Sequence, residues 1–219
     1  MKMDKIEINK QKPKPHFDFK FSKPSWSVIL KTKNLVIGYD KALTKPLNLK
    51  MSKNEKIAII GANGIGKTTL LKSLIKIINP IEGKVMIDEQ HLDIGYYEQE
   101  NYYTDNVVID EISNEFPENT KTEVRRMLAR CGLTNEHINS KLCELSGGEQ
   151  AKVRLCKVIN KPSNILFLDE PTNHLDVDAK DELKRALINY EGSVVLVSHD
   201  RDFYKDIVTK VWNCENWKV

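Results

Sequence analysis

The sequence contains no apolar run approaching the ~18 residues that a membrane-crossing helix requires, so no direct membrane insertion is expected. Its lysine-rich start lacks the apolar stretch of a secretory signal, and the expected location is cytoplasmic. Cys131, Cys143, Cys156 and Cys214 form no C-x-x-C pair. They read as buried or free thiols of a reducing compartment, and no zinc site is expected. Net charge is only +3, but it is uneven: the first 33 residues hold nine lysines against Asp4, Glu7 and Asp18, which leaves the remainder net acidic. The basic stretch includes Lys10-Gln11-Lys12-Pro13-Lys14-Pro15, which proline keeps from being a helix. Residues 1–26 therefore read as a basic linker or arm, either solvated or in contact with nucleic-acid phosphate, with Phe17, Phe19, Phe21 and Trp26 pinning its end to the domain. With 40% hydrophobic and 30% charged residues, positions 27–219 suit one ordinary globular domain.

What is present without a departure is the G-x-x-x-x-G-K-[ST] pattern, as Gly61-Ala62-Asn63-Gly64-Ile65-Gly66-Lys67-Thr68. Before it, Lys56–Ile60 is a short apolar run suited to a buried parallel strand; after it, residues 69–78 repeat apolar positions at helical spacing. The glycines let backbone N–H groups converge on phosphate oxygens, and a helix start adds unpaired N–H groups with roughly half a positive charge. A polyphosphate fits such a loop, with Lys67 reaching the β- and γ-phosphates and the Thr68 hydroxyl ligating Mg²⁺.

Residues 28–30, 35–37 and 47–51 read as short strands, and Tyr39 stands at the turn after the second, where an adenine could stack on its face. Asn79-Pro80 and Glu82-Gly83 read as the stop of the first helix, followed by strands at 84–88 and 92–97, the latter ended by Gln99. Residues 107–143 change to a helical insert in which Val124, Met127, Leu128 and Cys131 share a stripe and Arg125, Arg126 and Arg130 form a solvated face. Ser146 and Glu149 match a capping box at the start of a helix that runs to about 161, whereas Gly147 and Gly148 between them suit a second anion site; both readings stand.

Residues 165–168 are apolar on both faces, which indicates a central parallel strand whose C-terminal end is where ligands sit. That end carries Asp169 and Glu170. Neighbouring strand residues point to opposite sides, so Asp169 can address a metal while Glu170 addresses a water nucleophile. A polar connector, 171–176, leads into a helix with Leu183, Ala186, Leu187 and Tyr190 on one face. A further buried strand at 193–198 ends in His199, placed at the same sheet edge and able to hydrogen-bond a γ-phosphate. Residues 208–212 and 217–219 read as a closing hairpin.

This order of elements resembles the nucleotide-binding domain of the ATP-binding cassette superfamily over residues 28–219. The resemblance implies an α/β P-loop fold of ABC type, with a mainly parallel core sheet, an antiparallel β subdomain and a small helical subdomain at about 105–160. It implies ATP and Mg²⁺ as ligand and cofactor, and it places Tyr39, residues 61–68, Thr69, Ser146, Gly147, Gly148 and Glu149 on nucleotide. Gln99 is the Q-loop glutamine by the same resemblance. Thr68, Gln99 and Asp169 then hold the metal, with Glu170, His199, Gln99 and Lys67 catalytic. The family further implies a head-to-tail pair of cassettes with each ATP lying between the glycine loop of one and the Ser146–Glu149 signature of the other.

Within the superfamily the chain is similar to the ABC-F class, which acts on ribosomes in translation or antibiotic protection. Thr172-Asn173-His174-Leu175-Asp176, Ser198-His199-Asp200-Arg201-Asp202-Phe203 and the short stretch from Gln99 to Leu145 carry that similarity. ABC-F proteins pair two cassettes on one chain and only one is present here, so the expected partner is a second cassette, either a missing N-terminal half or another copy, with ribosomal RNA as a further partner. The alternatives are the ATP-binding subunit of a membrane transporter and a module that closes on ATP without turnover.

Overall fold

A computed structural model describes residues 13–23, 28–87, 91–99 and 104–219. Its elements run β1 (Val28–Val36), β2 (Lys50–Ser52), β3 (Lys56–Ile60), α1 (Lys67–Leu74), β4 (Glu82–Ile87) and β5 (Ile94–Tyr97). A helical stretch follows, α2 (Val108–Glu115), α3 (Lys121–Arg130), α4 (Asn135–Asn139) and α5 (Gly147–Asn160). The chain then returns to the sheet through β6 (Ile165–Asp169), α6 (Val177–Asn189), β7 (Ser193–Val197), α7 (Arg201–Tyr204) and β8 (Lys210–Asn213), and a 3₁₀ turn, Cys214–Trp217, comes after it.

Five strands form a wholly parallel sheet in the order β5-β6-β7-β3-β8, and three form an antiparallel sheet in the order β2-β1-β4. Every residue of β6 and β7 is buried, as strands covered on both faces must be. Their two-residue period sorts the side chains. Leu166, Leu168, Val194 and Leu196 join the core shared with α5 and α6, while Ile165, Phe167, Val195 and Val197 join the core shared with α1. The architecture is the α/β class expected, a parallel core sheet with an antiparallel subdomain and helices.

Three expectations change. Residues 28–30 and 35–36 belong to one strand, which ends before Ile37, because Asn34 takes a φ of 47° where the register shifts and lets pairing with β4 continue past the irregularity. The first helix stops at Leu74, before Asn79-Pro80: Lys76 adopts a φ of 60°, its N–H reaches the Ser73 carbonyl at 3.1 Å, and the Ile77 N–H reaches the Lys72 carbonyl at 2.9 Å. That is a Schellman ending with lysine where glycine is usual, and Ile77 is left exposed. The closing hairpin is absent. β8 lies parallel to β3 as an edge strand, delivered there by α7, since alternation of apolar residues carries no information on strand direction.

Residues 13–23 form an extended strap across the helices. The His16 N–H donates to the Arg130 carbonyl at 2.7 Å, and Lys20 and Ser22 bond Ile159 and Ser163. The Phe17 N–H donates to Glu182 at 2.8 Å and its carbonyl accepts from Arg185 at 2.7 Å. Phe17 is fully buried, and Phe19 and Phe21 meet Tyr190 edge-on at 5.7 and 6.0 Å. Trp26, Asp88 and the basic residues before Pro13 lie outside the described residues.

Candidate functional site

The glycine loop joins β3 to α1 at the C-terminal edge of the parallel sheet. Gly66 is the N-cap of α1 at a φ of 102°, a region that L residues rarely adopt, and a Cβ there would stand 3.2 Å from Leu43. No side chain caps α1. The first-turn N–H groups are thereby left for an anion at the positive end of the helix. The Lys67 ammonium is buried and donates to the carbonyls of Gly61 and Ala62 at 2.9 and 3.0 Å. Ala62, Asn63 and Gly64 form the exposed rim, Ile65 is half-buried and Thr69 is buried. The turn after β8 supports the loop from beneath: Glu215 accepts the Ala62 N–H at 2.8 Å, and Cys214 packs under Gly61. Burial pushes the Cys214 thiol up to about 11 against the opposing charge of Lys67.

Two carboxylates diverge from the end of β6. Asp169 accepts the Thr68 hydroxyl at 3.1 Å, and burial raises its pKa, with the Thr68 hydrogen bond opposing. Glu170 adopts a φ of 47°, keeps its N–H on the Val197 carbonyl, and sets Oε2 2.9 Å from Nδ1 of His199, just past β7. Gln99 is exposed two residues after β5, and the residue before it, Glu98, is ion-paired with Lys72 of α1 at 2.6 Å. These elements enclose a cleft of about 700 Å³ that is lined by Tyr39, Asn63, Gly64, Gly66, Lys67, Thr68, Thr69, Gln99, Glu170 and His199. Tyr39 is 66% exposed, so a ring face is open to it.

Among the described residues no three His, Cys, Asp or Glu side chains gather as a metal cage. The Thr68 hydroxyl and the Asp169 carboxylate instead pair at 3.1 Å as two hard oxygens, and Gln99 borders the same cleft as Thr68. Such a set suits a Mg²⁺ that keeps waters and shares phosphate oxygens.

Ser146, Gly147, Gly148 and Glu149 do not border that cleft. They open α5, where the capping box forms: Ser146 caps the Glu149 N–H, and Glu149 accepts the Ser146 N–H at 2.9 Å. A Cβ on Gly148 would lie 2.7 Å from the carbonyl oxygen of His174, in the connector after Glu170. Lys152, in the second turn of α5, pairs with Asp176 of the same connector at 2.6 Å. The connector thus runs from the sheet edge that bears Asp169 and Glu170 onto the first turns of α5 in its own chain. Sequence reasoning missed Glu215, Leu43 and the Lys72–Glu98 pair, whose partners are distant in sequence and leave no local signal.

The ABC transporter family model matches residues 44–173. A Bacillus subtilis (strain 168) protein described as an uncharacterized ABC transporter ATP-binding protein, YfmM, is 58% identical over 99% of this chain and 42% of its own length. ABC transporter F family member 2 of Arabidopsis thaliana is 41% identical over 84% of this chain and 28% of its own, and GCN20 of Saccharomyces cerevisiae 36% over 87% and 26%. The chain therefore spans less than half the length of these curated relatives. Among solved structures, the dimeric post-hydrolysis state of the ATP-binding cassette MJ0796 bound to ADP and Pi superposes with a TM-score of 0.72, over 84% of this chain and 94% of that one at 22% identity, which speaks for the fold. Glycine loop, paired carboxylates, signature helix and fold agree with the sequence matches: the chain belongs to the ATP-binding cassette ATPases, and ABC-F proteins are among its relatives.

Proposed function

We propose that this cassette binds ATP with Mg²⁺ and hydrolyses it as one half of a paired-cassette protein of ABC-F type that acts on the ribosome. The observation that carries the chemistry is that the end of β6 sets Glu170 against His199 at 2.9 Å and its neighbour Asp169 against the Thr68 hydroxyl at 3.1 Å, with Glu170, His199 and Thr68 all bordering the cleft. Tyr39 offers its ring to the adenine. The uncapped start of α1 and Lys67 receive the phosphates, Lys67 exchanging its loop carbonyls for phosphate oxygens. Thr68, Asp169 and Gln99 would hold Mg²⁺, which offsets phosphate charge when bound. Glu170 polarises the attacking water as general base, and His199 donates its Nδ1–H to that carboxylate and so orients it, while in its imidazolium form it also donates Nε2–H to the γ-phosphate.

Glu170→Gln keeps shape and removes the base. It should retain ATP binding and lose about 10²–10⁴ in multiple-turnover phosphate release. Undiminished release would overturn the assignment. The ABC-F relatives support the ribosomal reading, and no helix among the described residues is long and apolar enough to cross a membrane. Ribosome pelleting with the full-length Glu170→Gln form and ATP tests that part; absence of co-sedimentation would count against it.

A further inference from the structure

The Glu149 side chain is held from two sides. Oε2 closes the capping box of α5 on the Ser146 N–H, while Oε1 stands 3.2 Å from Nε2 of His137 in α4. His137 is itself fixed by a capping box at the start of α4. Its N–H donates to the Thr134 hydroxyl at 3.3 Å, and its Nδ1 accepts the Thr134 N–H at 3.4 Å. A backbone N–H aimed at Nδ1 leaves the ring proton on Nε2, so the neutral imidazole already donates to Glu149. Both side chains are about three-quarters buried, at 25% and 27% exposure, and Ile138 beside His137 is fully buried in the core. The anchor is therefore fixed in place, and it belongs to a different helix from the signature.

We propose that His137 is a positioning residue for the signature turn, holding Ser146, Gly147 and Gly148 in register through Glu149 so that the start of α5 meets the nucleotide of a second cassette. The inference rests on the paired-cassette reading proposed above, taken with each ATP lying between the glycine loop of one cassette and the start of α5 of the other, the composite site.

Residue 137 does two jobs, and substitution separates them. Glutamine preserves both, since its Oε1 can accept the Thr134 N–H, as Gln at this position of a capping box does, while its amide donates to Glu149. Glutamate preserves the cap but sets a carboxylate against Glu149. Steady-state ATP hydrolysis by the full chain is measured at one concentration in the paired regime. His137→Gln should keep the KM of the parent. His137→Glu should raise KM for ATP about two- to fivefold with a smaller change in kcat, the range for a partly exposed charged pair. Glu149→Gln alone supplies the baseline for that residue's own contacts, and adding it to His137→Glu should bring KM back to that baseline. A parental KM in His137→Glu, or a raised KM that Glu149→Gln leaves unchanged, would overturn the proposal. Thermal melting checks that each variant folds; should His137→Glu not fold, His137→Asp, which caps but is too short to reach Glu149, takes its place as a loss of the contact, with a raised KM expected and a parental KM overturning the proposal. Gly147→Asp serves as control. If it leaves turnover intact, the composite-site reading itself fails; if it abolishes turnover while His137→Glu matches the parent, only the role of His137 falls.

Discussion

At Gly148 the nearest neighbour of a would-be Cβ is a backbone atom, the His174 carbonyl oxygen at 2.7 Å, and His174 holds it there from a φ of 67°. A backbone neighbour cannot swing aside as a side-chain tip can. Gly148→Ala should therefore destabilise the nucleotide-free protein by about 1–3 kcal/mol, the usual cost of overpacking, as a drop in thermal midpoint. Gly147→Ala meets only ordinary contact, at 3.4 Å from the His174 ring, and should melt like the parent. If the glycines served only the approach of a phosphate, both variants would melt alike. The sequence showed that side chains were missing between Ser146 and Glu149, but not that residue 174 fills part of the space. Local pattern made the glycine loop, Asp169, Glu170 and His199 legible, because each requirement is met within a few residues of a strand end. Glu215 and His137 stayed hidden because what they hold is reached only through the fold.

At the level of elements, the strap shows how a polar segment is tied to a surface. Glu182 of α6 accepts the Phe17 N–H at 2.8 Å and pairs with Arg185 at 2.7 Å. The Arg185 hydrogen bond holds the Glu182 carboxyl below its ordinary value of 4.5. A depressed folded-state pKa adds stability that is complete above the ordinary value and is lost as pH falls through the folded one. Glu182→Gln should thus lower stability by about 1–2 kcal/mol at neutral pH, with the gap closing as pH falls below the ordinary glutamate range. Denaturant unfolding across that range measures it, and a gap that persists at low pH would mean that charge plays no part. The aromatics at 17, 19 and 21 announced such a tether. The end of α1 and the direction of β8 were not announced, since a left-handed lysine and a parallel edge both depend on tertiary partners.

In the whole molecule, the nucleotide cleft and the signature turn are separate surfaces of one chain. A site that needs both must draw them from two cassettes, so turnover per molecule should rise with protein concentration and fade on dilution. A flat, high specific activity across a dilution series would contradict the pairing. The parallel sheet has a second bearing, on time rather than on chemistry. β3, which carries the glycine loop, is flanked by β7 and β8, pairing Ile57 with both Val195 and Lys210. A chain made from its N-terminus exposes the apolar Ile57–Ile60 run long before either neighbour exists. Pairing so distant in sequence is slow to form and vulnerable to aggregation meanwhile. The loop that looks most autonomous in the sequence is thus among the last parts of the newborn protein able to grip a nucleotide.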